Sequence, residues 1–133
     1  MRSNRQKLSV GQQIFRMRSL FPQFKYQRQN QCPTWIGSLK PNDKSPIYQI
    51  KIIYPYPFSP KIWILSPSIT DQPLHRYKDD SLCLYYPKDR TWHTGCFIAE
   101  IIVPLTAEWL SLYELWKLTG NWYADEAPHS SKK

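Results

Sequence analysis

Glycine is scarce, four residues in 133, and no run approaches eighteen apolar residues. The second absence excludes a membrane-spanning helix. No glycine-rich loop carrying a Walker-type lysine occurs, so the chain has no phosphate cradle with which to adenylate a carboxylate itself. The three cysteines, Cys32, Cys83 and Cys96, are widely and irregularly spaced and form no Cys-x-x-Cys pair. An odd count cannot pair completely, and with no apolar stretch behind the charged N-terminus to serve as an export signal, a reducing cytoplasm is expected. His75, Cys83, His93 and Cys96 would make a Cys₂His₂ set, but only His93-x-x-Cys96 has a familiar ligand interval. Neither a metal nor a cofactor is expected.

Acidic residues are missing from one region. Residues 1–40 carry Arg2, Arg5, Lys7, Arg16, Arg18, Lys25, Arg28 and Lys40 and no acid, so the net charge of +8 belongs to the N-terminal third. Such a field attracts nucleic acid, anionic lipid or an acidic protein surface, or simply keeps a helix face solvated. Phe15, Phe21, Phe24 and Tyr26 interleave with these cations and could stack on bases. They fit the core face of a helix equally well, and nucleic acid is not expected among the partners.

What the chain has in abundance is proline (twelve) and aromatic residues (15%), which indicate many turns around a bulky core. The length bounds it to one domain, here 8–123, with 1–7 and 124–133 as flexible termini. Val10, Ile14, Met17 or Arg18, and Phe21 recur at helical intervals, with Gln12, Gln13, Arg16 and Ser19 on the opposite face, until Pro22. A loop through Asn30 and Pro33 precedes a short strand at Thr34–Leu39. A turn at 41–46 leads to an alternating strand at Ile47–Tyr54, and a proline-rich connection leads to a third at Lys61–Leu65. The stretch from His75 to Trp92 is irregular, with a short extended piece at Leu82–Tyr86. Helical character returns at Cys96–Val103 and breaks at Pro104. A last helix is expected from an N-cap at Thr106, with Glu108 in its first turn, to Gly120. This order predicts an α+β fold: an N-terminal helix, an antiparallel meander of three to four strands, a long loop, and C-terminal helices packed on one side.

The polar stretch ending Ser81-Leu82-Cys83-Leu84 places a thiol among turn residues, unlike a cysteine that only fills apolar space. A reactive thiol requires partial exposure and neighbours that favour its thiolate, and Cys83 fits that pattern best of the three. Cys96, in an apolar run, reads as a small buried hydrophobe.

The same order of elements, with Cys83 in the long loop and Trp92 nine residues later, resembles the ubiquitin-conjugating-enzyme fold. The run Ile101–Trp122 resembles more particularly the bacterial conjugating-enzyme-like proteins that stand beside cyclic-oligonucleotide synthases in antiphage (CBASS) operons. The resemblance spans about residues 8–123 and implies that Cys83 is the acceptor cysteine. His75 stands eight residues before it, where the eukaryotic His-Pro-Asn motif has its asparagine, and Trp92 matches the tryptophan after it. There is no His-Pro-Asn here; Arg76 and Tyr77 follow the histidine.

On this resemblance the chain carries a partner's C-terminus as a thioester on Cys83 and passes it to a target amine. The implied partners are a cyclic-oligonucleotide synthase (a CD-NTase-type nucleotidyltransferase) and acceptor proteins. Activation must come from an activating enzyme or an already activated partner. His75 would lower the thiol pKa or donate to an oxyanion. Asp79 and Asp80 would support the loop, or orient or deprotonate the incoming amine, and Arg16 and Arg18 would dock a partner. A non-catalytic scaffold on the same fold is the alternative.

Overall fold

The computed structural model describes residues 6–69, 75–85 and 87–123. Most of the expected flexible termini, residues 1–5 and 124–133, lie outside the described residues. The elements are helix α1 (Val10–Leu20), strands β1 (Lys25–Gln29), β2 (Cys32–Leu39), β3 (Tyr48–Ile53) and β4 (Lys61–Ser66), a 3-10 turn at Pro87–Asp89, and helix α2 (Ile98–Thr119). The strands pair antiparallel in chain order, β1-β2-β3-β4. The fold is therefore α+β, with an N-terminal helix, a four-stranded meander and a C-terminal helix, consistent with the conjugating-enzyme architecture. No helix among the described residues is long and apolar enough to cross a membrane.

Local chemistry explains the elements. Ser9 caps α1 by accepting from the Gln12 amide, while the Gln12 side chain accepts from the Ser9 amide, a reciprocal capping box. Across the sheet Trp35 stands opposite Ile52, and Ile52 opposite Ile62, so one face presents a continuous apolar row. That row joins Ile98, Ile102, Val103 and Leu110 of α2 in one buried core. Gly37 lets the chain at Phe24 cross β2 closely, because a Cβ there would lie 2.6 Å from the Phe24 Cα. Glu114 ties α2 to the β2–β3 turn by accepting from Ser45 Oγ at 2.9 Å and Tyr48 Oη at 2.7 Å.

Three expectations are corrected. The loop expected through Asn30 and Pro33 contains a fourth strand, β1, which pairs Lys25 with Ile36 and Arg28 with Pro33. Its hairpin turns on Asn30 and Gln31, both at positive φ (50° and 65°), the geometry of a two-residue primed turn. The two expected C-terminal helices are one, because α2 runs through Pro104. Thr106 is no N-cap: buried within the helix, its hydroxyl donates to the Ile102 carbonyl at 2.8 Å, and Glu100 rather than Glu108 occupies the first turn. Gly120 ends the helix as expected, in the left-handed region (φ 79°), with its N–H donating to the Trp116 carbonyl.

The third correction concerns Gln13, expected on the solvent face but 1% exposed. Its amide donates to the Cys96 carbonyl at 2.8 Å and accepts from the Ile98 amide at 2.9 Å. The N-cap residue Phe97 makes no side-chain cap, so Gln13 of α1 satisfies the first free N–H of α2 in its place.

Candidate active site around Cys83

Residues 75–83 form a narrow hairpin laid along the free edge of β4. Arg76 bridges to Leu82, the Cys83 amide donates to the His75 carbonyl at 2.9 Å, and the Tyr77 amide donates to the Ser81 carbonyl at 2.9 Å. The Leu82 amide donates to the Ile62 carbonyl of β4, also at 2.9 Å. That bond, with the contacts of Asp79 to Lys61 and Trp63, fastens the hairpin against the outer edge of β4.

Asp79 builds the tip. Its Oδ1 accepts from the Ser81 amide at 2.9 Å and the Ser81 hydroxyl at 2.6 Å, and its Oδ2 accepts from Lys61 Nζ at 2.8 Å. Its carbonyl accepts from the Trp63 indole at 2.9 Å. Burial opposes ionisation here, but the hydrogen bonds from Lys61 and Ser81 and the Lys61 charge outweigh it and hold the carboxyl at about 2. So weak a base does not deprotonate an amine at neutral pH; Asp79 serves as a brace for the loop. Asp80 sits beside it at φ 71° with its carboxylate 3.9 Å from Arg76.

Cys83 is where the sequence and the structure part. Partial exposure was expected, yet Cys83 is only 4% exposed. The polar letters around it belong to a turn whose Leu82 arm docks on β4, so the residue after Leu82 is carried in with it. The thiol donates to the Tyr85 carbonyl at 3.9 Å, and Tyr77 stands diagonal to it on the same face of the hairpin.

His75 adjoins Cys83 through the main chain. Its carbonyl, which accepts the Cys83 amide, also accepts the Trp109 indole N–H at 3.3 Å. Its imidazole packs on the Trp122 ring with centroids 4.4 Å apart, and Trp122 in turn meets Trp109 edge-on at 5.4 Å. His75 holds φ 55°, a strained value for a residue other than glycine.

Beside the hairpin runs a groove of about 620 Å³, walled by Pro55, Pro57, Phe58, Tyr77, Tyr85 and Trp92. Trp92 stands edge-on to the buried Tyr54, with centroids 5.6 Å apart. Cys96 is half-buried rather than sealed, its sulfur 3.8 Å from the Thr91 carbonyl. Among the described residues no three His, Cys, Asp or Glu side chains converge as a metal site requires.

The basic helix presents its charges unequally. Arg16 donates through Nε to Glu100 at 2.7 Å, brings Nη2 within 2.6 Å of the same carboxylate, and lies 5.7 Å over the Phe97 ring. It bolts α1 to α2. Arg18 is exposed in the last turn, and Phe15 is 72% exposed.

Residues 13–130 match the family model described as Type II CBASS E2 protein. The chain belongs to that family. None of the curated proteins matches it. Membership gives this E2-family chain a conjugating-enzyme-like character, a place in antiphage defence and an association with CBASS operon components.

One neighbour of Cys83 in this E2-family chain, Tyr77, carries no mark in the sequence. In an antiparallel pairing of Arg76 with Leu82, the side chains of 75, 77, 81 and 83 share the opposite face, so Tyr77 is the diagonal neighbour of Cys83 and within reach of a long aromatic ring. The signal that could have found it is the two-residue step from His75, read against a hairpin that ends at Cys83.

Proposed function

We propose that this protein is a conjugating enzyme that carries a partner's C-terminal acyl group as a thioester on Cys83 and transfers it to an amine. The observation that carries this reading is the placement of Cys83, in a family of conjugating-enzyme-like proteins, on a braced hairpin beside an apolar groove. The Cys83 thiolate attacks the carbonyl of an activated C-terminus, a thioester or acyl adenylate. The new C–S bond forms as the leaving thiolate or AMP departs with its electron pair. A target amine then attacks, loses a proton to solvent, and expels the Cys83 thiolate. The groove receives the extended tail of the acyl donor against its prolines and aromatic rings. By family association the donor is the C-terminus of a cyclic-oligonucleotide synthase, and the acceptors are target proteins.

The burial of Cys83 favours a second reading. A thiol 4% exposed forms a thioester only when the wall of Tyr77 and Tyr85 opens, whereas a scaffold needs no such opening. Co-expression with the adjacent synthase, followed by non-reducing gels and mass spectrometry, separates the two. The enzyme reading expects a thiol-labile adduct on Cys83, a persistent oxyester with Cys83→Ser, and none with Cys83→Ala. Undiminished binding by Cys83→Ala with no adduct in any variant would leave the scaffold standing.

A further inference from the structure

We infer that Tyr77 is a catalytic residue: its phenol O–H serves the Cys83 sulfur as thiolate and then the carbonyl oxygen as the tetrahedral intermediate forms. This inference rests on the acyl-transfer reading above and assigns the oxyanion donor within it.

The placement follows from the hairpin. The Tyr77 amide is fixed to the Ser81 carbonyl and the Tyr77 carbonyl accepts from the Asp80 amide at 2.9 Å, so its backbone is held on both sides. Asp79 locks the tip between them. The hairpin register sets the Tyr77 side chain on the face of Cys83, and the same residue lines the groove, so it borders both the space for the acyl donor and the nucleophile. His75, expected in this role, packs its imidazole on Trp122 and contacts Cys83 through its carbonyl.

The chemistry suits a phenol. Before attack, the O–H donates to the thiolate and favours it over the thiol. As the C–S bond forms, negative charge leaves sulfur and appears on the acyl oxygen two bonds away, and a donor standing beside the sulfur turns to it with little rearrangement. When the leaving group departs the charge returns to it, and the phenol keeps its proton throughout. Burial first, then the hydrogen bond to Cys83, pushes the Tyr77 pKa upward, so it is a donor across the physiological range and never a base.

Tyr77→Phe removes only the hydroxyl. Two measurements on the full chain read its effect: the pH profile of Cys83 alkylation by iodoacetamide, resolved from Cys32 and Cys96 by peptide mass spectrometry, and the single-turnover rate of adduct formation with the synthase. The alkylation profile should move up by about one pH unit, the size of one lost charge-assisted contact. The adduct rate should fall roughly a hundredfold, as for one oxyanion donor. If Tyr77→Phe does not fold, 3-fluorotyrosine at position 77, a stronger donor of the same shape, should move the alkylation profile the other way. An unchanged profile and adduct rate overturns the role of Tyr77 while leaving conjugation intact. Absence of adduct from the wild-type protein removes the acyl-transfer reading, and the catalytic role falls with it.

Discussion

The α1–α2 junction and the Cys83 hairpin are both fastened by polar contacts inside the protein, but they are fastened for different ends. At the junction a side chain serves the backbone: Gln13 uses both ends of its amide to satisfy Cys96 and Ile98, and no residue there departs from ordinary φ. At the hairpin the backbone serves a side chain. The His75 carbonyl, the Ser81 carbonyl and the Asp79 carboxylate fix the chain so that one sulfur is presented in one place, with His75 and Asp80 held at positive φ. Strain of that kind persists only where surrounding contacts over-determine it, and it gathers at functional sites. The junction is built to be stable, and the hairpin is built to be specific.

Breaking the junction should therefore cost the most stability. Gln13→Leu keeps the volume but leaves the buried Ile98 N–H and the half-buried Cys96 carbonyl without their partner, a loss of about 3 kcal/mol. Urea denaturation read by tryptophan fluorescence should show the midpoint shift with unchanged slope. A loss under about 1 kcal/mol would mean that water or a neighbouring group replaces the amide, and the junction would no longer stand as the more firmly fastened of the two.

The hairpin should respond to acid in a way the junction does not. The folded-state pKa of Asp79, about 2, lies below its ordinary 3.8, so its contribution is present above pH 4 and is lost as pH falls from 4 towards 2. The side chain is 39% exposed, and solvent screening limits the effect to about 1 kcal/mol. Asp79→Asn should thus be about 1 kcal/mol less stable than wild type at pH 7 and nearly equal to it at pH 2, in urea titrations at each pH. A gap that stays constant across that range would assign the stabilisation to the shape of the turn and not to the charge.

The contrast also explains what could be read from letters alone. Regular periodicity exposed α1 and the strands β2, β3 and β4, since each shows an apolar face in register with its neighbour. β1 stayed hidden because Lys-Tyr-Gln-Arg-Gln offers only Tyr26 to the core and its turn uses Asn30-Gln31, with no glycine to announce positive φ. Pro104 read as a break because a proline removes a helical hydrogen bond, yet an apolar face running from Ile98 through Leu110 holds the helix across it. Gln13 read as solvent-facing because its partner, the start of α2, is distant in sequence. At the candidate site, the composition of the loop singles out Cys83 and Asp79, but not the burial of the sulfur or the direction of the His75 ring. Those depend on the hairpin docking on β4 and on a left-handed φ at His75, neither of which is written in local composition.

The smallest effect belongs to the outer layer of the junction. Arg16 and Glu100 are each 40% exposed, so their ion pair contributes about 0.5 kcal/mol in ordinary salt. Arg16→Ala should cost about that much, with a further small loss from the contact over Phe97. In a double-mutant cycle with Glu100→Gln the coupling should shrink as salt is raised to 1 M, because exposed pairs are screened over a few ångströms. The amide of Gln13, one helical turn away and buried, should show no such salt dependence. If Arg16 coupled as strongly in high salt as in low, the surface bolt would be no wetter than the buried clasp, and the whole α1–α2 contact would behave as one dry interface. A fading coupling leaves Arg16 free to exchange Glu100 for an acidic partner at little cost, while Arg18 and Phe15 already face outward from the same helix.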